Sequence, residues 1–222
     1  MNPADLDRPG AWQLLFPHAL RLMAHLEAHA PQVSWTFGGG TVLMLRIAHR
    51  QSKDIDLFVP DPQYLGYVNP RLSDVAEQVS GDYQEGAEFI KLYFPQGEID
   101  IVAGGALTPQ PFEVVEYAGR SLKIETCAEV IAKKIWHRGD QAKARDLYDL
   151  CAVADAEPAA IAAAAPFFVR HGEAFLQRLE QRAELMEAEF AAIDAIGPPR
   201  SFPQSLRQAR IIIEPLLGSG RE

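Results

Sequence analysis

Apolar residues recur every three or four positions over residues 17–29, with Leu20, Met23 and Leu26 in one stripe, and that period predicts a helix. Residues 33–37 read as a short strand running into Gly38-Gly39-Gly40. Residues 41–50 read as a helix burying Val42, Leu43, Leu45 and Ile47, and residues 54–59 as a second strand ended by Pro60-Asp61-Pro62. Asn69 before Pro70 has the form of an N-cap followed by a first-turn proline, which predicts a helix to about residue 79. Residues 89–94 and 98–102, joined across Pro95-Gln96-Gly97, carry a hairpin signal, and residues 112–117 and 121–124 flank a turn at Ala118-Gly119. From residue 126 the pattern turns helical. Thr126 with Glu129 three residues later is a capping box, and helices are expected over 126–138, 142–154, 157–165, 167–193 and 204–217, with Gly197-Pro198-Pro199 as a break. The order predicts an α+β chain: a mixed-sheet core over 1–125 and a C-terminal helical domain over 126–222.

Composition narrows the class. With 222 residues, 48% hydrophobic and 23% charged, the chain can bury a sizeable core. It has no run of about 18 apolar residues, and its first residues lack a basic start and an apolar signal core. The expectation is a cytoplasmic protein with no membrane partner. Cys127 and Cys151 both fall in expected helices, so free thiols are the default. A net charge of −9 is unlike a general nucleic-acid binder. RNA contact would need a local patch, and the best one gathers Arg120, Lys123, Lys133, Lys134, Arg138, Lys143 and Arg145. Glu125, Glu129 and Asp140 interleave with it, and a solvated helix face explains it equally well.

The chemistry concentrates earlier. On a strand, Asp54 and Asp56 share one face while Ile55, Leu57 and Val59 share the other. Two adjacent carboxylates repel, and a divalent cation between them removes the conflict. Asp100 repeats the design on the strand over 98–102, and three carboxylates on neighbouring strands suit two Mg²⁺ ions. Gly39, Gly40 and Thr41, at the start of a helix, can cradle phosphate, because glycine admits close approach and the helix N-terminus offers free N–H groups. No Gly-Lys-Ser/Thr follows, so this is not a Walker loop. Lys134 and Arg138, four apart, project from one helix face. Lys134 can meet a triphosphate, with Asp146 orienting it and Arg145 pairing with Asp149; a purely structural ion-pair network is the competing reading. His25 and His29 have helical spacing but no third ligand for zinc.

Taken together, Gly39-Gly40-Thr41 and Arg50-Gln51-Ser52-Lys53-Asp54-Ile55-Asp56-Leu57-Phe58 resemble the nucleotidyltransferase core of the DNA-polymerase-β superfamily. More narrowly, with Lys134-Ile135-Trp136-His137-Arg138 and Lys143-Ala144-Arg145-Asp146-Leu147-Tyr148-Asp149-Leu150, the chain resembles the AbiEii/AbiGii toxin family of type IV toxin–antitoxin pairs. Arg145 stands where that family usually has Lys. The resemblance implies a polymerase-β-like fold and transfer of a nucleotide from an NTP to a hydroxyl of tRNA or protein, with pyrophosphate released. It also implies a cognate antitoxin as partner. Asp54, Asp56 and Asp100 would hold two Mg²⁺, with Asp100 helping to orient the attacking oxygen. Gly39, Gly40, Thr41, Lys134 and Arg138 would bind the nucleotide. Two alternatives stay open: transfer to a small cationic acceptor of the aminoglycoside type, and a non-catalytic nucleotide- or partner-binding protein.

Overall fold

A computed structural model describes residues 2–218. Helix α1 (Trp12–His29) opens the chain, and Pro17, expected to start it, lies inside it. An interior proline removes one backbone hydrogen bond. Starting earlier buries Trp12, Leu15 and Phe16 almost completely, and at roughly 2 kcal/mol per large apolar side chain that burial outweighs the lost bond. Strand β1 (Thr36–Gly38) runs into α2 (Gly39–Ile47), and the chain returns as β2 (Ile55–Val59). A 3-10 segment (Pro62–Val68) leads to α3 (Asp74–Val79). The helix expected from Asn69 does not form there. Asn69 Oδ1 accepts from the Arg71 N–H (2.9 Å), closing a local turn, and Ser73 caps α3 instead by accepting from the Ala76 N–H. Next come β3 (Tyr83–Glu85), which the sequence pattern missed, β4 (Phe89–Phe94), β5 (Gly97–Ala103), β6 (Phe112–Tyr117) and β7 (Arg120–Glu125).

These strands form one mixed sheet in the order β3-β4-β5-β2-β1-β7-β6, so the expected α+β architecture is present. β2 lies parallel to β5 and antiparallel to β1; β1 lies parallel to β7. Side chains alternate along β2 and β5. Ile55, Leu57, Val59, Ile99 and Ile101 are buried on the face that α1 covers, while Asp56, Phe58, Asp100 and Val102 point to the other.

Six helices follow: α4 (Cys127–Arg138), α5 (Ala144–Ala156), α6 (Pro158–Ala164), α7 (Gly172–Gln181), α8 (Ala183–Ala191) and α9 (Phe202–Gly218). Only half of the expected capping box forms on α4. Thr126 Oγ1 accepts from the Glu129 N–H (3.2 Å), but the Glu129 carboxylate accepts from the Leu107 and Thr108 N–H groups (2.9 and 2.8 Å) and anchors that loop. The single helix expected over 167–193 is broken at Arg182. α7 packs on α9, whereas α8 turns onto α5, with the Phe190 and Tyr148 rings 5.3 Å apart. One buried apolar cluster runs from Leu6 to Ile213 through both halves of the chain. Cys127 and Cys151 are buried and unpaired. Among the described residues no helix is long and apolar enough to cross a membrane.

Candidate active site

Strand register builds the site. Lys91 on β4 lies opposite Asp100 on β5, Asp100 opposite Asp56 on β2, and Asp56 opposite Gly38 on β1. Pairing of Phe37 with Ile124 carries the row on to Glu125 at the end of β7. Glycine is required where this row is tightest. A Cβ on Gly38 would stand 2.2 Å from Glu125 Oε2, and one on Gly39 would stand 1.9 Å from Asp56 Oδ2. Gly39 also has φ +72°, a region glycine occupies without steric cost.

A cavity of about 220 Å³ lies over the row, between the sheet, α4 and the start of α5. Asp54, Asp56 and Asp100 all line it, as do Gly39, Gly40, Lys134 and Arg138. Asp54 precedes β2, and its Oδ1 accepts from the Glu98 N–H (3.1 Å). Lys91 Nζ lies 3.0 Å from Asp100 Oδ2 and 2.6 Å from Glu98. Asp100 Oδ1 is buried with no partner among the described residues. Burial, reinforced by the neighbouring Asp56 charge, pushes the Asp100 carboxyl up to about 6 against the pull of Lys91. Burial also raises the Asp56 carboxyl, opposed by Lys134, Arg138 and Arg145. A bare acceptor beside a second carboxylate offers the hard oxygen ligands that Mg²⁺ takes, so this pair fits the ion. With Lys91 on Asp100 and the Glu98 N–H on Asp54, no group of three or more His, Cys, Asp or Glu among the described residues is gathered to hold an ion as it stands.

The cations fall into two sets. Lys134 Nζ is bound to Asp146 Oδ1 (2.8 Å) and Asp149 Oδ2 (3.0 Å), and Arg138 to Asp146 (2.5 Å). Asp149 also takes Arg50 through two bonds (2.6 and 2.9 Å) and His49 Nε2 (2.7 Å). Lys133 is held by Glu125 (2.6 Å) and, more loosely, Glu129 (3.5 Å). Lys134 and Arg138, expected at the phosphates, are thus committed to a buried network, and Asp149 does not take Arg145. Asp146 helps place the remaining cations: its Oδ2 accepts from the Lys143 N–H (3.1 Å) at the start of α5. Lys143 and Arg145 line the cavity and make no ion pair among the described residues. Five of the seven cations of the expected patch, Lys133, Lys134, Arg138, Lys143 and Arg145, line the cavity, while Arg120 pairs with Glu27 and Lys123 with Ser34.

Thr41 departs from expectation. It is fully buried below the turn, and its hydroxyl donates to the Asp54 carbonyl (2.6 Å), so it fixes the loop ahead of β2 instead of facing the cavity. The His25 and His29 rings lie 4.3 Å apart, tilted by 50°, at the α1 surface, with His25 Nε2 near Ser73 Oγ. A second groove adjoins the first, sharing Lys143 and Arg145 and adding Arg178, Arg182 and Glu189 from α7, the break and α8. Sequence reading missed Arg178 and Arg182, whose place beside the site depends on how the helices fold back.

The chain has relatives among known proteins. The family model described as "Nucleotidyl transferase AbiEii toxin, Type IV TA system" matches residues 21–210. No curated protein matches the chain significantly. Among solved structures, JHP933 from Helicobacter pylori is similar at 15% identity and a TM-score of 0.47, covering 93% of each chain. The antibiotic-resistance factor ANT(2'')-Ia is similar at 14% identity and a TM-score of 0.47, over 78% of this chain and 97% of that one. Both likenesses are distant.

Proposed function

The chain belongs to the AbiEii nucleotidyltransferase family, and we propose that this enzyme transfers a nucleotide from an NTP to a hydroxyl of tRNA with Mg²⁺, as the toxin of a type IV pair restrained by a cognate antitoxin. The observation that carries the reading is the Asp56–Asp100 pair, in register under a glycine turn, with one buried carboxylate oxygen left bare. Asp56 and Asp100, with Asp54 beside them, would hold Mg²⁺. When bound, the ion neutralises phosphate charge and makes the attacking hydroxyl more acidic.

The chain's own groups do the rest. The backbone at Gly39 and Gly40, at the N-terminus of α2, meets phosphate oxygens. Lys143 and Arg145 neutralise the β- and γ-phosphates, and the paired Lys134 and Arg138 supply positive potential behind them. Asp100 orients the acceptor hydroxyl and takes its proton as the oxygen attacks the α-phosphorus; the bond to the bridging oxygen breaks and pyrophosphate leaves. Catalysis is by positioning and charge stabilisation. The acceptor is a polyanion because the groove beside the cavity gathers Lys143, Arg145, Arg178 and Arg182 on a chain that is otherwise acidic.

The test is incubation with Mg²⁺, each α-labelled NTP in turn and total tRNA. Label moves to tRNA with the native chain. Asp56→Ala lowers transfer at least about a hundredfold, the range lost when an electrostatic stabiliser is removed. Full transfer by that variant, or label moving only to protein or to a small cationic acceptor, would overturn the assignment as stated.

A further inference from the structure

Glu125 is the one carboxylate of the row that the reaction above leaves without a role. Its Oε1 is saturated, taking the Thr36 hydroxyl (2.7 Å) and the Lys133 ammonium (2.6 Å). Its Oε2 has no partner among the described residues, although Glu125 is only 1% exposed. A bare buried acceptor is costly unless a donor arrives from outside. That oxygen sits over Gly38 at the edge of the Phe58 ring: a Cβ on Gly38 would meet Oε2 at 2.2 Å and Phe58 Cε2 at 2.8 Å. Both side chains line the cavity.

The two ends of the cavity differ in character. At the Glu125 end the charges are paired internally, Glu125 with Lys133, and Phe58, Val102 and Val130 supply apolar walls. Lys133 lies over the Phe58 ring, 3.8 Å from its centroid. At the other end Lys143 and Arg145 make no ion pair among the described residues. A flat, neutral group and a polyanion joined in one ligand match these ends, which sets a nucleotide's base against Phe58 and its phosphates toward α5.

We propose that Glu125 Oε2 reads the nucleobase. It accepts a hydrogen bond from the exocyclic amine of adenine, cytosine or guanine and disfavours uracil, which carries carbonyl oxygens and no amine. Glu125 is then a specificity residue and Phe58 an apolar wall beside the base. This rests on the reading of the cavity as an NTP site.

The experiment is calorimetric titration of the full chain, with Mg²⁺, by ATP, CTP, GTP, UTP and inorganic tripolyphosphate. ATP, CTP and GTP bind at least about tenfold tighter than UTP, the scale of one hydrogen bond to a charged group. In Glu125→Gln, Thr36 and Lys133 hold the amide oxygen, so the NH₂ takes the place of Oε2. That variant erases or reverses the preference and leaves tripolyphosphate affinity unchanged. Phe58→Leu weakens all four NTPs by similar factors, again without changing tripolyphosphate. Equal binding of the four NTPs by the native chain, a preference for UTP, or a Glu125→Gln variant that weakens tripolyphosphate as much as ATP would overturn the proposal. Tripolyphosphate bound without any NTP would overturn the base site alone, and no binding of either would overturn the NTP reading itself.

Discussion

At the residue scale Asp149 is the hub of the buried ion-pair network. One buried carboxylate holds Arg50, His49 and Lys134 together. Burial alone would raise its pKa, but Arg50 and Lys134 hold it well below the usual carboxylate range; Asp146 is likewise held low, against burial, by Lys134 and Arg138. A depressed folded-state pKa stabilises above the unfolded value and is lost as pH falls through the folded one. The stabilisation from this network is therefore expected to be complete above about pH 4 and to fall away as pH drops below it. Asp149→Ala is expected to cost about 3–5 kcal/mol in urea unfolding, since it leaves buried cations unpaired, and to flatten that acid slope. An unchanged midpoint would mean the network stabilises nothing. The sequence placed Asp149 next to Arg145, the nearest cation along the chain. Its actual partner, Arg50, lies 99 residues away. Chain proximity sets which pairs are suggested, but burial of the unpaired partner sets which pairs form.

At the element scale the unit that makes the site is β1, its glycine turn and α2. Gly39→Ala adds a Cβ at φ +72° and 1.9 Å from Asp56 Oδ2. The strained backbone costs about 1 kcal/mol. The larger effect is displacement of the Asp56 carboxylate, so Mg²⁺-dependent NTP binding is expected to fall at least about tenfold while the far-ultraviolet dichroism stays native. Binding at the native level would show that the turn tolerates the side chain. This unit was legible because glycines followed by a helical stripe and an alternating strand carry their own local physics. Other elements were not. Asn69 closes a turn and Ser73 caps α3, because the same short polar side chain suits both tasks. The break at Arg182 has no local signal, and packing of α8 onto α5 decides it.

At the scale of the whole molecule the two halves share one apolar cluster, and α4 and α5 both pack on α2. A fragment ending at residue 125 leaves that surface bare. It is expected to bind a hydrophobic dye and to lack a cooperative thermal transition, whereas the full chain unfolds in one step. A sharp, native-like melt of the fragment would show that the mixed sheet stands alone. The sequence by itself determined the alternation that puts Asp56 and Asp100 on one face of the sheet, the glycine turn beside them and the helical character of the second half. Each of these follows from periods of two or about 3.6 residues and from single-residue backbone preferences. Tertiary structure alone decided that Asp56, Asp100, Gly38 and Glu125 form one row, that Lys134 and Arg138 are tied up, and that Lys143 and Arg145 line the cavity with no ion pair among the described residues. Register across strands and the pairing of buried charges depend on which distant segments meet, and no local pattern encodes that.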